Sequence, residues 1–102
     1  MKYALVTGGS RGIGRAVCIE LAAQGIPVII NYIFNTEAAM ETKQLIEEKG
    51  GKAELLPFDV ADSASVDRAM ETWSEAHPDD FIGILINNAG IRQDVKIGRA
   101  HV

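Results

Sequence analysis

A chain of 102 residues, 47% hydrophobic and 24% charged, has room for one small domain around a single core. A formal net charge of −4 with no cluster of Lys and Arg argues against a nucleic-acid face, and no apolar run approaches the ~20 residues of a membrane-spanning helix. The single cysteine, Cys18, excludes an internal disulfide, and Met1-Lys2-Tyr3 enters an apolar run without signal-peptide architecture, so the expected setting is the reducing cytoplasm.

Lys2–Val6 is a short β-rich run that ends at a double glycine and reads as the first strand. Thr7-Gly8-Gly9-Ser10-Arg11-Gly12-Ile13-Gly14 follows and opens an amphipathic segment reaching Gln24. There Ile13, Val17 and Leu21, with Ala16 beside them, form the expected stripe, and Gly25 is the stop. Cys18, mid-helix among apolar neighbours, reads as a small buried hydrophobe. Pro27–Tyr32 is a second strand, whose uninterrupted aliphatics suit a parallel strand covered on both faces. Asn35 or Thr36 caps a second helix with Ala38, Ala39, Thr42, Leu45 and Ile46 inward, while Glu37, Glu41, Glu47 and Glu48 read as solvated surface. Gly50-Gly51 ends it. Lys52–Phe58 is a third strand, and Asp62 or Ser63 caps a helix through about Ala76, with Val66, Ala69, Met70 and Trp73 on one face. Trp73 reads as core, and His77 as a partner of that helix's negative C-terminal end. Phe81–Ile86 is a fourth strand running into Asn87-Asn88-Ala89-Gly90.

Alternating strands and helices imply right-handed parallel crossovers and a Rossmann-like α/β doubly wound parallel sheet of four strands, expected in the order 3-2-1-4, with three helices. Reversal beside the first strand would put a ligand crevice at the carboxyl ends of strands 1 and 4. Gly8–Gly14, Asp59 and Asn88 all fall at such ends. In the glycine loop the roles are separable. Gly8 allows a sharp turn off the strand. Gly12 removes the side chain that would hold a pyrophosphate off the backbone, and Gly14 lets the helix lie close on the strand. The free N–H groups and positive end of the helix then face the anion. The bland alternative is a glycine-rich turn that binds nothing.

Thr7–Gly14 resembles the cofactor loop of the short-chain dehydrogenase/reductases, Thr-Gly-x-x-x-Gly-Ile-Gly. Two further motifs match that family in order: Asp59-Val60 after the third strand, where relatives contact adenine, and Asn87-Asn88-Ala89-Gly90 after the fourth. The resemblance implies cofactor contacts from Gly8, Ser10, Arg11, Gly12, Ile13, Gly14, Tyr32, Asp59, Val60, Asn88, Ala89 and Gly90. The side-chain amide of Asn88 would steady the strand ends and meet the adenosine ribose. Thr-Gly-Gly-Ser-Arg-Gly-Ile-Gly-Arg-Ala with Asn-Asn-Ala-Gly-Ile looks most like the 3-oxoacyl-[acyl-carrier-protein] reductases within the family. That implies reduction of an acyl-carrier-protein-linked or other small ketone in fatty acid biosynthesis, by a full-length homotetramer.

An NAD site usually carries an Asp or Glu at the end of strand 2 for the ribose 2′-OH. Here that stretch is Asn31-Tyr32-Ile33-Phe34, without a carboxylate, and Arg11 is available to a 2′-phosphate. The expected cofactor is NADP(H), although Ile33 stands where relatives that bind NADP(H) are often basic. The tyrosine acid of the family, with a lysine four residues on, is absent. Tyr3 and Tyr32 are followed at that spacing by Thr7 and Thr36. No metal-ligand pattern substitutes. Residues 1–95 are therefore expected to be the dinucleotide-binding part of a single Rossmann domain, inactive alone. Lys96–Val102 is expected to be a non-native tail, because one back-translation of it resembles a widely used sequencing-adapter oligonucleotide whose next codon is a stop; a natural disordered C-terminus is the alternative. A standalone nucleotide-binding sensor or partner-binding module, and a family reductase acting on another ketone or a sugar, are the competing expectations.

Overall fold

Apolar residues at successive positions of a strand send side chains to both faces of a sheet, so each face needs a cover of helices. The computed structural model, which describes residues 1–89, builds this arrangement. Strands β1 (Lys2–Val6), β2 (Val28–Tyr32), β3 (Ala53–Pro57) and β4 (Phe81–Ile86) alternate with helices α1 (Gly12–Ala23), α2 (Thr36–Glu48) and α3 (Ser63–Ala76). All pairings are parallel and the sheet order is β3-β2-β1-β4, as expected from the alternation.

The period of two along the strands divides the core. Ala4 and Val6 of β1 and Val28 and Ile30 of β2 pack with Cys18, Ala22, Ala39 and Ile46 of α1 and α2 on one face. Tyr3, Leu5 and Ile29 pack with Phe58, Ala69 and Trp73 on the other, beneath α3. In register, Val6 lies beside Ile30 of β2 and Ile86 of β4. The β1–β4 pairing slips once, between Tyr3 and Ala4, where Gly83 is passed over as a bulge.

Two apolar stripes fall where the helical period puts them. In α2, Ala39, Thr42 and Ile46 are buried; in α3, Ala69 and Trp73 are. Helix α1 departs from its expected stripe. Ile13 is 70% exposed and Ala16 is exposed as well, while Gly14, Cys18 and Ala22 are buried. The packed face is one residue further round because small residues, led by Gly14, allow the closest approach of helix to sheet. Val17 and Leu21 keep partial burial at its margin.

Capping separates the helices further. Asn35 Oδ1 accepts the Ala38 N–H at 3.0 Å, and Asp62 Oδ1 accepts those of Ala64 at 3.0 Å and Ser65 at 3.3 Å. Helix α1 begins after Arg11 with no side-chain cap. Its first N–H groups are left to whatever approaches the carboxyl end of β1.

At the opposite end of the sheet, Glu54 of β3 accepts from three groups: Tyr3 Oη at 3.2 Å, Trp73 Nε1 at 3.3 Å and His77 Nε2 at 2.9 Å. His77 Nδ1 lies 2.9 Å from the Trp73 carbonyl, so the expected contact with the α3 C-terminus is present, with a carboxylate added. The His77 ring also stacks on Trp73 at 4.3 Å between centroids.

Candidate cofactor site

Loop Thr7–Gly14 leaves the carboxyl end of β1 through two left-handed glycines, Gly8 (φ 63°) and Gly12 (φ 62°), a region that L side chains seldom enter. A Cβ on Gly14 would collide with the Gly8 carbonyl oxygen and approach Asn88 Nδ2 to 2.9 Å, so the third glycine of the motif is required for helix α1 to seat against the loop. Gly12 differs, since a Cβ there would meet nothing within 4 Å. The loop apex is open to an incoming group. Gly9, which the motif leaves variable, is also confined. A Cβ there would press within 2.9 Å of Cys18 Sγ and 3.3 Å of Ile30 Cγ2. Burial beneath the loop pushes the Cys18 thiol up to about 12, so it stays protonated and acts as packing rather than as a nucleophile.

Three strand ends are stitched to this loop. Thr7 Oγ1 accepts the Ala89 N–H at 3.1 Å, and Asn88 Nδ2 donates to the Gly8 carbonyl at 3.0 Å. From the other side, Asn31 Oδ1 accepts the Gly8 N–H at 3.2 Å. Asn31 Nδ2 donates to the carbonyls of Leu56 at 3.3 Å and Phe58 at 3.0 Å. Asn31 is 1% exposed and thus joins β1, β2 and β3 from the inside.

The stitched ends surround a crevice of about 680 Å³. Gly8, Ser10 and Arg11 line it from the loop, Asn31 to Asn35 from the end of β2, Asp59 to Ala61 from beyond β3, and Ala89 from beyond β4. Of the residues singled out in the sequence, Gly8, Ser10, Arg11, Tyr32, Asp59, Val60 and Ala89 therefore meet in one cavity. Gly12 and Ile13 are exposed at the start of α1, and Gly14 is buried below them. Asn88 is 3% exposed and commits its amide to Gly8, so it supports the wall from behind. Gly90 and the tail Lys96–Val102 lie outside the described residues. In the sequence Asn31, Ile33 and Phe34 stood out only as a stretch without a carboxylate and Asn35 only as a helix cap, while Ala61 carried no signal. A signal for Asn31 exists in the lone amide within an otherwise apolar strand, but its partners lie on other elements.

The donors and charges of the crevice fit an anionic dinucleotide. An uncapped helix end and an open glycine meet Arg11, which is exposed and whose guanidinium forms no hydrogen bond or ion pair with any described residue. One oxygen of Asp59 accepts the Ala61 N–H at 2.9 Å, while its backbone N–H reaches Ser65 Oγ at 3.1 Å. No carboxylate stands among residues 31–35. A larger, more open groove of about 1060 Å³ along α2 and β3 is lined by Glu37, Glu41, Lys43 and Glu47, has no glycine turn, and offers a lysine already paired with Glu47 at 3.1 Å. It lacks what a phosphate needs. Among the described residues no group of three His, Cys, Asp or Glu is placed to hold a metal ion, and no helix is long and apolar enough to cross a membrane.

A doubly wound parallel sheet with a glycine loop and crevice at its switch point defines a nucleotide-binding α/β protein. The comparisons narrow the class. A family model for short chain dehydrogenase matches residues 2–101, and the chain belongs to the short-chain dehydrogenase/reductase family. It is 50% identical over 91 residues to the uncharacterized oxidoreductase YgfF of Escherichia coli (strain K12), covering 89% of this chain and 36% of that protein. It is 40% identical over 98 residues to a 3-oxoacyl-[acyl-carrier-protein] reductase of Synechocystis sp. (strain ATCC 27184 / PCC 6803 / Kazusa), covering 96% of this chain and 39% of the relative. Among solved structures, that of LugOII, a promiscuous reductase catalysing keto-reduction at C1 during lugdunomycin biosynthesis, superposes with a TM-score of 0.76 at 37% identity. That match covers 85% of this chain and 36% of LugOII. The chain thus spans little more than a third of each of these proteins. Its family is that of oxidoreductases that take a nicotinamide cofactor.

Proposed function

We propose that this chain is the cofactor-binding part of an NADP(H)-dependent reductase acting on 3-oxoacyl-[acyl-carrier-protein] or a similar small ketone. The observation that carries the cofactor choice is the pairing of Arg11, whose guanidinium has no partner among the described residues, with a β2 end that has no carboxylate. A 2′-phosphate would meet a cation there and no repelling charge, whereas a free 2′-OH would find no acceptor of the kind NAD sites use. Asn31 cannot take that role, because its side chain is committed to Gly8, Leu56 and Phe58.

The residues proposed to hold the cofactor divide by task. The α1 N–H groups after Gly12 and the backbone of Ser10 and Arg11 face the phosphates, Tyr32 and Arg11 the ribose, and Asp59, Val60 and Ala89 the adenosine. Asn88, with Gly14, holds the loop in shape. When bound, the nicotinamide group supplies the hydride. The substrate assignment is supported by the 40% identity to the Synechocystis reductase and by the loop sequence. Cytoplasmic location and a homotetrameric full-length protein belong to the same proposal.

Titration of the chain with NADPH and NADH tests the reading. Arg11→Ala should weaken NADPH binding about tenfold, the size of one charge-assisted contact, and leave NADH nearly unchanged. Equal losses would remove the NADP(H) assignment. A second reading, a nucleotide-binding module without a reductive step, is favoured by the tyrosines. The chain has only Tyr3 and Tyr32, both buried, and neither is followed by a lysine four residues on. NADPH consumption by the chain with a 3-oxoacyl thioester present would rule that reading out.

A further inference from the structure

The Arg11 guanidinium has no partner among the described residues to aim it, so its direction depends on how the backbone before it is held. That backbone is gripped from α2 through a second arginine. Arg15 donates to the Ser10 carbonyl from Nε at 3.2 Å and from Nη2 at 2.9 Å. Arg15 Nε also donates to Thr42 Oγ1 at 2.9 Å, and Thr42 Oγ1 in turn donates to the same Ser10 carbonyl at 2.7 Å. Arg15 Nη2 also reaches the Ala38 carbonyl at 3.2 Å and Glu41 Oε1 at 2.9 Å. Thr42 is fully buried and Ser10 is 8% exposed, so the grip is closed to solvent at its centre.

The Ser10 carbonyl belongs to the peptide whose N–H is that of Arg11. Pinning that oxygen therefore fixes the peptide plane from which Arg11 departs, immediately before the left-handed Gly12. A planar guanidinium is suited to the task because it offers several donors in a rigid fork, which an ammonium does not.

We infer that Arg15 and Thr42 form a positioning clamp, which sets the Ser10–Arg11 peptide so that Arg11 meets the adenosine 2′-phosphate without rearrangement. The inference rests on the NADP(H) reading of Arg11. Neither clamp residue lines the crevice, and their effect on binding passes through the loop. Preorganisation of this sort raises affinity by sparing the cost of ordering a mobile cation at the moment of binding.

Calorimetric titration of the 102-residue chain with adenosine 2′,5′-bisphosphate and with adenosine 5′-phosphate reads the clamp directly, because both probes need only the adenosine side of the crevice. The quantity compared is the preference for the bisphosphate, with a melting curve taken for each variant. Arg15→Lys and Thr42→Val should each reduce that preference by about five- to tenfold while remaining folded, and Arg15→Met by about tenfold. Combined with Arg11→Ala, Arg15→Met should lower the preference no further than Arg11→Ala alone, because both act through one contact. If Arg11→Ala abolishes the preference while Arg15→Lys and Thr42→Val keep it whole, the clamp is overturned and the NADP(H) reading stands. Additive losses in the double variant overturn it in the same way. If the unaltered chain shows no preference, the NADP(H) reading fails and the clamp falls with it.

Discussion

Asn31 shows how one side chain can hold a site together without touching what the site is for. Its amide joins the Gly8 N–H to the carbonyls of Leu56 and Phe58, all from a position 1% exposed. Asn31→Ala would remove the amide without overfilling the site and leave one donor and two acceptors without that partner. The expected cost is roughly 3 kcal/mol of folding stability, to be measured by urea unfolding, with nucleotide binding weakened in parallel. An unchanged midpoint would mean that water replaces the amide. Arg11 and Arg15 illustrate the same scale from the other side. The two arginines are four residues apart in one helix start, yet the side chain of one is committed to α2 and that of the other has no partner among the described residues.

Among elements, the junction of α3 with β1 and β3 is tied at Glu54 and carries a built-in pH dependence. Both ring nitrogens of His77 face acceptors, the Trp73 carbonyl and the Glu54 carboxylate, so the junction is fully bonded only when the imidazole is charged. The hydrogen bond to Glu54, then that to the Trp73 carbonyl, raise the His77 pKa above its ordinary 6.5 against a small opposing effect of burial. Asp80 adds a further negative charge from the β4 approach and is itself paired with the Met1 amine at 3.0 Å. Lys52 beside the Tyr3 ring is the positive group across the junction. A raised folded value means that this contribution is whole below the unfolded pKa and is lost as pH rises through the folded one. The melting temperature should therefore fall as pH is taken from about 6 into the alkaline range, and His77→Gln should flatten that slope. A slope unchanged by the substitution would assign the dependence to other groups.

For the described residues as a whole, the sheet order leaves β3 and β4 at the edges, and the two edges differ. The β3 edge is bordered by Glu37, Glu41, Lys43 and Glu47 of α2, charges of the kind that discourage strand pairing. Strand β4, Phe81-Ile82-Gly83-Ile84-Leu85-Ile86, has no charge, and Phe81 and Leu85 are 57% and 63% exposed. Such an edge is open to pairing with another chain. The 102-residue chain should associate as its concentration rises, and Leu85→Lys should suppress the association without lowering the melting temperature. Sedimentation over a range of concentrations checks both. A monomer at every concentration would show that the β4 edge is covered.

Strand order, helix spans and a crevice at the carboxyl ends of β1 and β4 were legible in the amino-acid sequence because they rest on short-range signals. Strands alternate with period two, helices with a period near 3.6, and glycines mark the turns, all within a dozen residues. The placement of Gly8, Arg11, Tyr32 and Asp59 around one cavity followed from the parallel topology that those signals impose. The tertiary structure alone decided which face of α1 is buried, turning Ile13 outward and Gly14 inward, because that depends on how closely two surfaces approach. It also decided that Asn31 and Asn88 support the glycine loop from within, that Gly9 is confined by Cys18, and that Arg15 joins Thr42 of α2 in gripping Ser10. The partners of Asn31 stand as far as 27 residues away, and those of Asn88 and Arg15 are 80 and 27 apart. No local pattern encodes a hydrogen bond across such distances. The chain must fold before the amide and its carbonyl are neighbours.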